Sequence, residues 1–188
     1  MPEGHIWESG SEKDVNGIEF NPNMPTEEIF CLPHKYGVNG TLASTKPLVY
    51  GGNVINDFVL KFEKGRIVDF TAKEGEETLK HLIETDEGSH YLGEMALVPY
   101  SSPISDTNTV FYNTLYDENA SCHFAIGSAY SSCIEGGNDI KAEDFDKYGI
   151  NDSLTHVDFM VGSADLDIVG ITPDGEEIQI FKDGNWAF

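Results

Sequence analysis

Apolar and polar positions alternate in several short runs of this chain, and a period of two predicts strands. Across residues 54–62, Val54, Phe58, Leu60 and Phe62 fall on one such face. Lys64-Gly65 marks a turn, and Ile67-Val68-Asp69-Phe70 can return as a second strand. Thr71-Ala72-Lys73-Glu74 fits a capping box and predicts a helix to about Thr85 with Leu79, Leu82 and Ile83 inward and His81 on the surface. Residues 91–98 form a mostly apolar run, a strand carrying one acid, Glu94, with His90 at its start in a structural role. Residues 101–108 read as a polar loop and 109–116 as a strand. In residues 117–130, His123 and Tyr130 are seven positions apart, two helical turns. A helix there places both on one face, with Glu118 at or just before its first turn. Residues 135–153 are acidic and glycine-rich, a surface excursion with one helical turn over 142–148. In a strand over 155–163, His156 and Asp158 share one face while Val157 and Phe159 fill the other.

The ends follow the same logic. Ile18 and Phe20 alternate as in a short strand, and Pro22 and Pro25 disfavour a helix before Pro25. If the chain after Pro25 is extended, Glu27 and Glu28 point to opposite sides, so only one easily faces a given site. Apolar stretches at 168–171 and 178–181, with turns at Pro173-Asp174-Gly175 and Lys182-Asp183-Gly184, make a hairpin-rich β ending before Trp186. The pattern as a whole predicts an α+β fold, mainly antiparallel, with a curved or barrel-like sheet and a few helices.

Composition narrows the function. The 188 residues show no internal repeat or interdomain linker and predict a single domain over 1–188. Acidic residues number 33 against 11 basic ones, a formal charge of −22. Such a surface repels nucleic acid and anionic membranes and draws cations. No apolar run is long enough to span a bilayer, and Met1-Pro2-Glu3-Gly4-His5 lacks the basic and apolar regions of a signal peptide. Cys31, Cys122 and Cys133 form no CxxC pair and are odd in number, which predicts a reducing, cytoplasmic compartment. Cys122 beside His123 reads better as a small buried residue than as a nucleophile, because helix neighbours diverge by about 100°.

A carboxylate in a buried strand is costly without a proton, a partner or a metal, and Glu94 is such a group. Acids and imidazoles at apolar or turn-defined places are Glu28, Glu94, Glu118, His123, His156 and Asp158. Four carboxylates and two imidazoles suit borderline divalent ions such as zinc, cobalt or manganese, in a number that two adjacent metals need. Such a site can lower the pKa of a water and stabilise an oxyanion, to which Tyr130 is placed to donate. A dinuclear phosphoesterase fits less well, since few basic residues remain to hold phosphate. No nucleophile elbow, phosphate-binding loop, dinucleotide fingerprint or His-Glu-x-x-His motif is present.

Four stretches in order carry a resemblance: Asn23-Met24-Pro25-Thr26-Glu27-Glu28-Ile29-Phe30, Leu92-Gly93-Glu94-Met95-Ala96-Leu97-Val98, Thr114-Leu115-Tyr116-Asp117-Glu118-Asn119-Ala120-Ser121-Cys122-His123, and His156-Val157-Asp158-Phe159-Met160-Val161-Gly162-Ser163. Together they resemble the successive motifs of the M29 metallo-aminopeptidases, over nearly the whole chain. The resemblance implies an exopeptidase that removes N-terminal residues from peptides with two divalent ions, zinc, cobalt or similar. It implies metal ligands at Glu28, Glu94, Glu118, His123, His156 and Asp158, with Glu94 as the bridge and Glu28 preferred to Glu27, and an active-site tyrosine at Tyr130. Family members are about twice this length, and the likeness is to their C-terminal catalytic part, without the N-terminal α/β domain. Members pair as homodimers, so metal binding with little turnover is the alternative expectation for this chain.

Overall fold

The computed structural model describes residues 1–21 and 27–188; the expectation that Pro22 and Pro25 disfavour a helix before Pro25 falls outside them. In chain order the strands are β1 (Glu8–Ser9), β2 (Glu12–Lys13), β3 (Glu19–Phe20), β4 (Ile29–Cys31), β5 (Gly40–Ala43), β6 (Leu48–Tyr50), β7 (Asn53–Glu63) and β8 (Arg66–Glu74). Helix α1 (Glu76–Ile83) follows, then β9 (Leu92–Leu97), the short α2 (Thr114–Asp117), β10 (His123–Gly127), β11 (His156–Met160), β12 (Ile168–Ile171), β13 (Glu177–Lys182) and β14 (Asn185–Trp186). A five-stranded antiparallel sheet runs β1-β4-β9-β10-β11. Separate sheets join β5, β7, β6 and β8, then β12-β13-β14, then β2-β3. The α+β, mainly antiparallel class is as expected, but among the described residues the sheets stay open and none closes into a barrel.

The β7–β8 hairpin forms where alternation placed it. Its turn residues Lys64 and Gly65 take φ of 51° and 82°, the positive pair that a tight hairpin turn requires. A Cβ at Gly65 would lie 1.7 Å from the Lys35 carbonyl oxygen, so no other residue fits. Phe58, Leu60 and Phe62 are buried as expected, and Ile55 takes the inward place expected of Val54. Asp57, at φ 49°, breaks the strict alternation and moves the phase by one residue. The expected capping box is also overturned: Thr71–Glu74 belongs to β8, and α1 starts after Gly75 at φ 75°. Leu79, Leu82 and Ile83 still face inward, as the helical spacing predicts.

These side chains pack with Leu92, Ile126 and Phe159 into the main core, each worth about 1.5–3 kcal/mol of burial. The core therefore covers one face of β9, β10 and β11. Their other face carries the polar residues described below.

Two further expectations fail for tertiary reasons. Residues 117–130 are not one helix: α2 ends at Asp117, a 3-10 turn covers Glu118–Ala120, and β10 begins at His123. Strand β10 pairs on both sides, with β9 and β11, and this pairing decides the conformation over local propensity. Residues 109–116 are not a strand, because the Asp117 carboxylate accepts the amides of Phe111 at 2.8 Å and Asn113 at 3.0 Å and closes the chain into a loop. The excursion over 135–153 keeps the predicted turn at Ala142–Tyr148 but sends Ile150 and Asn151 into the interior.

Candidate metal centre

The central strand β10 organises the site. Ala125 sits opposite Glu94 of β9 on one side and Asp158 of β11 on the other. Its methyl side chain leaves the space between the two carboxylates open. His123 lies two residues along the same face, and His156 two residues before Asp158. Glu28, just ahead of β4, reaches in from the far side of β9.

Two overlapping triads result: Glu28, Glu94 and His123, then Glu94, His156 and Asp158, with donor atoms within 4.8 Å of one another in each. His123 Nε2 is 3.1 Å from Glu28 Oε2 and 3.4 Å from Glu94 Oε1. His156 Nε2 is 3.7 Å from Glu94 Oε2 and 3.5 Å from Asp158 Oδ1. The two oxygens of Glu94 thus face different imidazoles.

Backbone carbonyls orient both rings. His123 Nδ1 donates to Ser121 O at 3.1 Å and His156 Nδ1 to Ser128 O at 2.7 Å. In the neutral rings this leaves a lone pair on each Nε2, aimed at carboxylates. Lone pairs facing anions repel unless a proton or a cation lies between them. Glu28 Oε2, His123 Nε2 and Asp158 Oδ1 are all buried with no hydrogen-bond partner, a costly state for polar atoms. An oxygen and nitrogen donor set of this kind, with outer carbonyls fixing the imidazoles, fits a divalent ion.

The electrostatics agree. Burial disfavours the charged form of His123, yet Glu28, Glu94 and Asp158 beside it push its pKa well above the usual imidazole value. His156 behaves alike: burial opposes the charge, but Asp158 and Glu94 raise it to about 9. Burial raises Glu94, while Asp158, also buried, is held low chiefly by His156 and His123.

Five of the six expected ligands therefore come together. Glu118 is buried, outside both triads, and its charge reaches Tyr130. Glu28 rather than Glu27 enters a triad; the Glu27 amide instead donates to Asn119 Oδ1 at 2.9 Å. Tyr130, half exposed, has its ring tilted against that of His156 at 5.0 Å and edge-on to Phe30 at 5.9 Å. Its phenol is pushed up to about 12 by burial and then by Glu94, Asp158, Glu118 and Glu28. Cys122 is the small buried residue expected, with its thiol bonded to the Val98 backbone and raised by burial. The carbonyls of Ser121 and Ser128 are site groups that sequence reasoning misses, because a backbone oxygen has no residue type to read.

A family model described as thermophilic metalloprotease (M29) matches residues 1–186. Aminopeptidase 2 of Geobacillus stearothermophilus is 58% identical over 188 residues, covering 100% of this chain and 46% of that protein. Aminopeptidase AmpS of Bacillus subtilis (strain 168) is 60% identical, with the same shares covered. The solved structure of wild-type AmpT from Thermus thermophilus matches with a TM-score of 0.93 and 43% identity, over 100% of this chain and 46% of that one. The chain spans slightly under half the length of the curated relatives it matches.

Proposed function

The chain belongs to the M29 metalloprotease family, which implies divalent metal cofactors, and from that premise we propose that it carries the catalytic centre of a metal-dependent aminopeptidase. The proposed reaction is hydrolysis of the first peptide bond of a peptide with a free N-terminus. The proposed cofactor is a pair of divalent ions, zinc, cobalt or similar. Glu28, Glu94 and His123 would hold one and Glu94, His156 and Asp158 the other, with Glu94 shared and Glu118 completing the set. The observation that carries this reading is the sharing: each oxygen of Glu94 faces a different imidazole, and buried donor atoms on both sides have no partner.

Bound there, divalent ions supply carbonyl polarisation and an activated water at neutral pH. The chain's own residues do the rest. Tyr130, a phenol and so protonated at neutral pH, donates a hydrogen bond to the developing oxyanion. Glu27 or a carboxylate of the centre carries the proton to the leaving amine. We propose further that residues 1–188 form one domain, equivalent to the catalytic part of the relatives. Three free cysteines suit a cytoplasmic setting, and the whole protein is proposed to pair as a homodimer.

Metal binding with little or no turnover is the second reading, favoured by the 46% share of the relatives that the chain covers. One experiment separates the two. The metal-free protein is loaded with zinc or cobalt, freed of excess, and its ions are counted by plasma mass spectrometry alongside hydrolysis of Leu-p-nitroanilide. About two ions per chain with hydrolysis supports the enzyme. Ions without hydrolysis favour the second reading, and neither ions nor hydrolysis overturns both.

A further inference from the structure

Residues 127–129, which begin at the last residue of β10, have nearly every backbone polar group held by a residue distant in sequence. The Gly127 amide donates to Tyr91 O at 2.9 Å, that of Ser128 to Thr155 O at 2.7 Å, and that of Ala129 to Asn151 O at 2.9 Å. Gly127 O accepts from Asn151 Nδ2 at 2.6 Å. Ser128 O accepts from His156 Nδ1 at 2.7 Å. Asn151 therefore grips the segment on both sides of Ser128, with its side chain at Gly127 and its backbone at Ala129.

Asn151 is built for this. It is 1% exposed, and its Nδ2 also donates to Gly88 O at 2.8 Å. Both neighbours are carbonyls, which settles the direction of the amide. Its Oδ1 is buried with no partner, so the amide is kept for its donors despite an unused acceptor. Gly93, immediately before Glu94, provides the room. A Cβ there would stand 2.1 Å from Ser128 O and 2.5 Å from Gly127 O.

We infer that Asn151 is a positioning residue of the metal centre: by clamping residues 127–129 it holds the Ser128 carbonyl on His156 Nδ1, so that Nε2 is the nitrogen presented to an ion between Glu94 and Asp158. The inference rests on the metal-centre reading above and deepens it. Asn151 touches neither substrate nor ion in this role; it acts through Ser128 and His156. A released Ser128 carbonyl would free the ring to rotate or to carry its proton on Nε2, and either removes a donor from the second triad.

The test is a double-mutant cycle on zinc affinity, read by competition with a chromophoric chelator. Asn151→Ala is expected to weaken zinc binding by about 10- to 100-fold and to cause no further loss in a His156→Ala background. Equal losses in both backgrounds would assign Asn151 a general structural role and overturn the inference, as would unchanged affinity in the single variant. A second measurement needs no folded Asn151 variant: ¹⁵N shifts of the His156 ring in the zinc-loaded parent, assigned with His156→Ala. A proton on Nδ1 and zinc on Nε2 are expected, and a proton on Nε2 overturns the inference. A parent chain that retains no zinc overturns the metal reading and this inference with it; zinc binding indifferent to Asn151 overturns this inference alone.

Discussion

Asp86 and Asp117 are acids that the fold satisfies by itself, whereas Glu28 and Asp158 are acids that it does not. Asp86 accepts from the Ser89 amide at 2.8 Å, the Ser153 hydroxyl at 2.8 Å and the Leu154 amide at 2.6 Å. Asp117, 2% exposed, accepts two loop amides. At the centre, Glu28 Oε2 and Asp158 Oδ1 find no donor, and the imidazoles beside them spend their Nδ1 protons on carbonyls. Acids of the first kind hold the chain together. Those of the second kind have been collected around two imidazoles whose Nδ1 protons are already spent on carbonyls, and a cation shared between acids and imidazoles would satisfy both.

The contrast is broken most directly at Glu94, the residue common to both triads. Glu94→Gln is expected to drop retained metal from about two ions per chain to less than one. The metal-free protein should change little in stability, because Gln keeps the size and hydrogen-bonding capacity of Glu94 while relieving its repulsion with buried Asp158; melting in the presence of a chelator checks this. A fall in metal-free stability with metal still bound would put Glu94 in the first class. His123→Ala, which removes the fully buried imidazole of the first triad, is expected to remove about one ion and leave the His156 side loaded, read by the same metal count.

Tyr130→Phe sharpens the contrast from the substrate side. Turnover of Leu-p-nitroanilide is expected to fall by about 100- to 1000-fold with the metal count unchanged. Equal turnover would remove Tyr130 from the reaction. Asp117→Ala should do the reverse of Glu94→Gln: stability falls by roughly 2–4 kcal/mol in urea unfolding, from two amides stripped of a charged acceptor, while the folded protein keeps its metal.

The smallest effect is expected at Asp86 and depends on pH. Burial alone would raise its pKa, but the amides of Leu154 and Ser89 and the Ser153 hydroxyl outweigh it and hold the carboxyl below the usual value. A depressed folded-state pKa contributes stability that is present above the unfolded value near pH 4 and lost as pH falls through the folded one. The stability gap between the parent and Asp86→Asn should therefore be flat from about pH 5 to 8 and shrink below about pH 4. A gap that widens in acid would reverse the assignment.

What the sequence alone determined is where the longer runs of short period form elements. The β7–β8 hairpin, the inward face of α1, the C-terminal hairpins and the shared face of His156 and Asp158 all follow from alternation or helical spacing. These are properties of neighbouring residues, and the chain states them directly. The four ordered motifs likewise carried the family.

The tertiary structure decided what depends on pairing between distant segments. Residues 117–130 could be spaced as a helix, but β10 is a strand because β9 and β11 flank it. Register alone sets Ala125 between Glu94 and Asp158. Adjacent acids Asp117 and Glu118 look alike in sequence, and it is the folded loop that brings two amides to Asp117. The carbonyls of Ser121 and Ser128 and the clamp at Asn151 left no sequence signal, since a backbone oxygen takes its role from where the chain brings it and not from the side chain it bears.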